Sequence, residues 1–331
     1  MLHRFAKLVA GSTVFLVLAG SLVTSTDSGL SVPDWPTSYG WNMFSFPPSM
    51  WVGGILYEHG HRLIATTVGM LTIVLASWIW LVDPRTWMKR LGVAALGAVI
   101  LQGLLGGLTV IFFLPPAVST AHAALAEIFF CTTVAIALFT SPGWKRSDAA
   151  ADDSTLRRLA TTTTALVFGQ ILLGAAMRHT DAGLAIPDFP LMFGGLVPDH
   201  WDAKIAIHFS HRVGALVVSM SILATAVRVW RAHAANRSLT RPATLLVALV
   251  VVQITLGALT VLSRRDVWIN SFHVVCGALV LATSLVVTLR SWRVRFLSEP
   301  VRVKPDTTPA VRSVRLQADP SRLQADQKAR A

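Results

Sequence analysis

Glu58-His59-Gly60-His61-Arg62, followed by His122, and His208-Phe209-Ser210-His211-Arg212, followed by His273, are two copies of one pattern. His211 trails His61 by 150 residues and His273 trails His122 by 151, so four histidines recur as two matched pairs. Each lies in or beside an apolar run of about twenty residues, the length that crosses a hydrocarbon core as a helix. An ionisable side chain in such a place is costly unless it serves something.

Outward from the histidines, the chain of 331 residues is 53% hydrophobic and 14% charged. Eight apolar runs stand out, at 8–26, 53–81, 91–114, 118–140, 157–177, 204–227, 242–263 and 270–289. The expected fold is therefore an all-α membrane protein of eight transmembrane helices. A net charge of +12 invites a nucleic-acid reading, but its distribution argues for topology instead. The N-terminal tail, 82–92, 141–158, 228–241 and the tail from 290 hold 23 of the 29 Lys and Arg residues. The positive-inside rule then places both termini in the cytoplasm and the loops at 27–52, 115–117, 178–203 and 264–269 outside. All four histidines fall in the first turns of helices entering from the outer side. The first run resembles a signal peptide, but it occupies the place of the internal helix 157–177 in the second copy, so it is expected to be retained.

The duplication extends past the histidines. Thr26–Pro36 matches Thr180–Pro190 at seven of eleven positions, and Gln102, Gly106, Leu108 and Thr109 answer Gln253, Gly257, Leu259 and Thr260. A repeat of four helices crosses the membrane an even number of times, so the halves are two tandem, parallel four-helix bundles. The expected organisation is an N-terminal half at 1–140, a cytoplasmic connection at 141–156, a C-terminal half at 157–290 and a disordered cytoplasmic tail at 291–331. Cys131 and Cys276 do not correspond in the repeat, which argues against a disulfide.

Within each half the second and fourth helices run parallel, and two imidazoles across a gap can ligate a haem iron from both faces. Zinc or copper is less attractive, because two histidines leave a tetrahedral ion short of ligands. Gly60, Gly69, Gly103, Gly106, Gly107, Gly257 and Gly277 thin the helices, for a flat macrocycle or for close packing. Arg62 and Arg212 are candidate partners for haem propionates, and Asp27, Asp34, Asp181 and Asp188 either orient such groups or fold their loops. The copies differ before the ligand: Glu58 precedes His61 by three residues, whereas His208 precedes His211. Three residues apart on a helix share a face, so Glu58 is a candidate acid, base or counter-charge in the first half only, or else an interface carboxylate paired with Arg62 or solvated. His208 is expected to support its neighbour, with a ligand role as the alternative.

This combination of motifs, Glu-x-x-His-Arg and His in one half, His-Arg and His in the other, with two Thr-Asp-x-Gly-Leu…Pro-Asp loops, resembles the haem A synthase family over roughly residues 5–290. The resemblance implies oxidation of the C8 methyl group of haem O to a formyl group, by successive hydroxylation, to give haem A for a terminal cytochrome oxidase. It implies Glu58, His61 and His122 at the substrate haem and His211 and His273 as ligands of a resident haem b. It brings haem O and a membrane electron donor as partners, excludes nucleic acid, and leaves association with the haem O-forming prenyltransferase or a second copy open. Some family members carry a cysteine pair in the first outer loop, which this chain lacks. Two other readings share these residues: a dihaem b-type cytochrome that only carries electrons, and a haem transporter. Prolines confined to loops and helix ends, Pro242 among them, speak against the discontinuous helices of a transporter.

Overall fold

The computed structural model describes residues 1–145 and 152–297. The expected tail from 298 onward and the 146–151 stretch of the connection lie outside them. Eight helices are long and apolar enough to cross a membrane: α1 (Leu2–Ser25), α2 (Gly54–Val82), α3 (Thr86–Ile111), α4 (Pro116–Thr140), α5 (Ser154–His179), α6 (Ala203–Ala232), α7 (Arg237–Leu262) and α8 (Val267–Ser291). Each begins at a recognisable stop for the preceding chain. Asp153, Asp202 and Asp266 cap α5, α6 and α8 with their side chains, and Pro116 opens α4 where a missing N–H is harmless.

Several helix ends differ from the sequence expectation, α1 and α3 starting six and five residues earlier, and two differences bear on the reading. The helix carrying Pro242 starts five residues earlier, at Arg237, so the proline is inside α7 and not at its end. Its ring removes the bond to the Ser238 carbonyl, next to a first turn whose amides lack helical partners in any case, and the helix continues. Beyond α8, Arg293–Leu297 forms a short helix within the presumed tail. Arg293 is buried there, donating to the carbonyls of Gly143 and Trp144.

Within the first half α1 packs on α2 and α4, and α3 packs on the same two, closing a ring in which α2 and α4 are diagonal. Helices α5 to α8 repeat that ring, with α6 and α8 diagonal. The halves meet through α1 on α8, α5 on α4 and α4 on α8. Of the most apolar stretch of α4 and α8, 56% and 50% is buried, against 17–28% for the other six, so these two helices form the centre. Phe130 of α4 is seated there against Ala278 and Ala282 of α8 and Val14 and Val17 of α1. The outer faces expose Leu104, Leu216 and Val251, as contact with lipid requires.

The loops after α1 and α5 are built alike. Asp27 and Asp181 adopt left-handed φ of 53° and 54° and close the two helices. Asp34 then accepts from the Tyr39 and Gly40 amides, as Asp188 does from Phe193 and Gly194. These aspartates fold their own loops.

Candidate haem sites

Each of the four histidines rests on a glycine of the neighbouring helix. A Cβ on Gly20 would lie 2.9 Å from Cε1 of His61, on Gly174 2.9 Å from that of His211, on Gly106 3.2 Å from that of His122, and on Gly257 3.0 Å from that of His273. Any side chain at these positions would push the imidazole out of place, so the glycines set where the rings stand. The pattern duplicates contact for contact, α1 supporting α2 as α5 supports α6, and α3 supporting α4 as α7 supports α8. His61 and His122 are within electrostatic range of one another, and so are His211 and His273. Of the glycines expected to matter, Gly107 instead receives the Trp35 ring and Gly277 meets Gln253, while Gly60, Gly69 and Gly103 face open space.

Glutamines on the same supporting helices reach three of the four rings. Gln102 Nε2 is 3.3 Å from His122 Nε2 and donates to its carbonyl at 3.0 Å. Gln253 stands 3.4 Å from His273 Nε2, and Gln170 stands 3.0 Å from His211 Nδ1. Gln170 fits only because position 214 is glycine, where a Cβ would fall 2.1 Å from its Oε1. In the first half the corresponding pair is Leu16 and Ile64, and His61 has no glutamine.

The unpartnered atoms complete the case for a ligand. Nδ1 of His61, His122 and His273 and Oε1 of Gln102 and Gln253 are buried without a hydrogen bond, although each of the four histidines as a whole is only half-buried. A ligating imidazole binds metal through one nitrogen and donates from the other to a fixed acceptor. At His122 and His273 the glutamine amides stand beside Nε2 and not Nδ1, so they flank the nitrogens that would face an iron, and the Nδ1 atoms keep no partner among the described residues. Among the described residues no three His, Cys, Asp or Glu side chains converge as a metal site. The donor set is two imidazoles per half, which fits a haem and not a tetrahedral ion.

Glu58 and His208 hold one structural post. Glu58 Oε2 accepts from the Val32 amide at 2.7 Å, and His208 Nδ1 accepts from the matching Ile186 amide at 3.2 Å. Arg62 donates to the carbonyls of Val32, Asp34 and Thr37, and Arg212 to those of Ile186, Asp188 and Leu191. These guanidiniums fasten the loops to the helices through their terminal nitrogens. Only Arg62 has an ionic partner besides, Glu58 Oε1 at 2.6 Å. The first site thus has a buried carboxylate three residues from its ligand, held at both oxygens. His59 is sealed in the loop packing between Phe46 and Trp51, with Ser38 on Nδ1.

Two residues escaped the sequence reading. Arg178, at the end of α5, donates to the Ser21 carbonyl and to Ser25 Oγ of α1, across the boundary between halves, and lies within electrostatic range of His273. His179 next to it stands in the same relation to His122. The repeat places Thr24 and Ser25 opposite them, so no recurring motif marked either.

Comparison with known proteins agrees with this construction. A family model described as cytochrome oxidase assembly protein (COX15-CtaA) matches residues 52–285. The chain is similar to proteins named "Heme A synthase" from three bacteria. That of Halalkalibacterium halodurans is 27% identical over 289 residues, 85% of this chain and 95% of the relative. That of Shouchella clausii is 28% identical over 302 residues, covering 90% and 97%. The Symbiobacterium thermophilum protein is 30% identical over 278 residues, covering 80% and 88%.

Proposed function

The chain belongs to the haem A synthase family, and from that premise we propose that it oxidises the C8 methyl group of haem O to the formyl group of haem A. The substrate haem sits between His61 and His122, and a haem b between His211 and His273. The observation that carries this assignment is the single break in an otherwise duplicated site: a fixed carboxylate, Glu58, beside the ligand of one half, and a neutral-capable imidazole, His208, in the other. A site that only carries electrons has no use for an added acid, whereas a site where positive charge develops on a carbon does.

Haem b, when bound, supplies one-electron transfer. The chain's own residues do the rest. Gly20 and Gly106 set the depth and spacing of the two imidazoles, and the loop fastened by Arg62 covers the first site against water. Glu58, oriented by the Val32 amide and Arg62, keeps negative charge at a fixed point near His61 while the methyl group is hydroxylated in succession. Because both oxygens already accept hydrogen bonds, a counter-charge role suits it better than that of a freely swinging base. In the second half, Gln170 and Gln253 orient both imidazoles, as retention of a resident group requires.

The test is chromatography of haems extracted from membranes of cells that make haem O, with and without this protein. Haem A should appear with the wild type and be lost in His61→Ala and His122→Ala. Haem b alone in the wild-type extract would identify an electron carrier instead. Glu58→Gln, which keeps the shape but not the charge, should retain haem yet lower turnover by about 10²–10³-fold, the usual effect of losing one such electrostatic contact. Turnover at the wild-type rate would remove Glu58 from the chemistry.

A further inference from the structure

Glu127 belongs to neither histidine pair and to no loop. It is the twelfth residue of the 25 in α4, at mid-membrane, and is 5% exposed. Its Oε2 is buried and without a hydrogen bond. Five residues beyond His122 it is turned about 140° around the helix and raised about 7.5 Å along it, so it leaves the first site and points elsewhere. Phe130 and Cys131, three and four residues on, share its face. Phe130 packs on α8 and α1, and Cys131 packs among Val167, Phe168 and Ile171 of α5 and Val280 and Leu281 of α8. Glu127 therefore looks into the seam between the halves.

The duplication breaks here as it does at Glu58, for the corresponding residue of α8 is Ala278, buried in the same cluster as Phe130. No Asp, Lys or Arg and no second Glu stands in the facing stretches of α1 (9–25), α3 (91–111), α5 (159–177) or α8 (267–289). The titratable and charged groups nearby are Cys131 on α4 itself, Cys276, whose Sγ is turned to the Leu249 carbonyl, the four paired histidines, and Arg178 and His179 at the end of α5. A lone carboxyl group in such surroundings keeps its proton unless positive charge compensates the ionised form. Positive charge at this seam is that of Arg178, which is fixed and committed to Ser21 and Ser25, and that of a ferric haem in an adjoining site, one unit of which disappears on reduction.

We propose that Glu127 carries the proton that balances the electron on the haem between His211 and His273. In the oxidised state the carboxylate faces the ferric charge. When the iron gains one electron from a membrane donor, Fe(III) becomes Fe(II) and Glu127 takes up one proton from water, –COO⁻ becoming –COOH. The net charge of the buried pair is unchanged, and reoxidation reverses both transfers. Electron arrival is thereby coupled to proton arrival beside the site that consumes both. The proposal rests on the assignment of a resident haem to the second half.

The experiment is a redox titration of the purified protein, followed by haem absorbance at a series of pH values with dithionite as reductant, together with reduced-minus-oxidised infrared spectra. In the wild type the midpoint potential should fall as pH rises, and reduction should generate a carboxylic C=O band. Glu127→Gln, near-isosteric and uncharged, should keep the haem spectrum, lose the band and titrate with no pH dependence. A wild-type potential independent of pH with no carboxylic band would overturn the proposal while leaving the haem site intact. Absence of haem from the wild type, or its full retention in His211→Ala, would overturn the site assignment and the proposal together. Were Glu127→Gln to lose haem, ¹³C-glutamate labelling of the wild type decides, since the band must shift with the label.

Discussion

At the level of single residues, the four ligand imidazoles are not equally held. Three have a glutamine from the supporting helix and His61 has Leu16 in its place. Losing a partner of this kind costs 10–100-fold in metal affinity as a rule. Gln253→Leu should therefore weaken haem retention in the second half by about 10-fold, read as haem lost on dilution of the purified protein. The reverse change, Leu16→Gln with Ile64→Gly to make the room that Gly214 makes for Gln170, should slow release of haem from the first half by a similar factor. Unchanged release would show that His61 is already fixed by Gly20 alone. A substrate has to leave after reaction, and under the proposed assignment the missing glutamine is where the first half would be looser.

At the level of elements, the outer loops are held by charge-assisted bonds from the helices beneath them. Arg212→Ala removes three bonds to carbonyls at once and should cost about 1–3 kcal/mol of local stability, seen as faster proteolysis within 186–191. Asp188 is held below the ordinary carboxylate range by the Gly194 and Phe193 amides, and Asp34, although burial opposes it, by the Gly40 amide, Thr37 hydroxyl and Tyr39 amide. A lowered folded value means that the contribution is complete above the ordinary range and is lost as pH falls through the lowered value. Protease resistance of both loops should be level from pH 8 to about 5 and decline below about 4. Much of this was legible in the chain. The helices follow from runs of apolar residues, the loops from an offset of 154 residues and the histidine pairs from offsets of 150 and 151, because repetition makes weak local signals coincide. The seats of the ligands were not legible. Gly20 and Gly174 touch histidines 41 and 37 residues away on another helix, a contact that only packing creates. Gln102 and Gln253 recur visibly, yet their task does not, and Gln170 has no counterpart to mark it.

At the level of the molecule, the scaffold is symmetric and its polar content is not. Glu58, Glu127, Arg178 and His179 each stand where the other half has a different residue, and the last three lie on or across the boundary between halves. Arg178→Met removes the donor to Ser21 and Ser25 while keeping an unbranched chain, and should lower stability by about 1–3 kcal/mol, measured as a shift in thermal unfolding followed by intrinsic Trp fluorescence. No shift would mean that the packing of α1 on α8, α5 on α4 and α4 on α8 joins the halves without help from Arg178.

The parallel sense of the two rings has one more consequence. His61, His122, His211 and His273 stand six to eight residues inside helices that start on the same face of the membrane, so haems held by the two pairs are neighbours at equal depth. Moving a charge across the bilayer involves about 2.3 kcal/mol for each 100 mV of potential, but moving it sideways at constant depth involves none. Electron exchange between the halves would therefore run in the membrane plane, electrically silent, at the same rate in an energised cell as in a depolarised one.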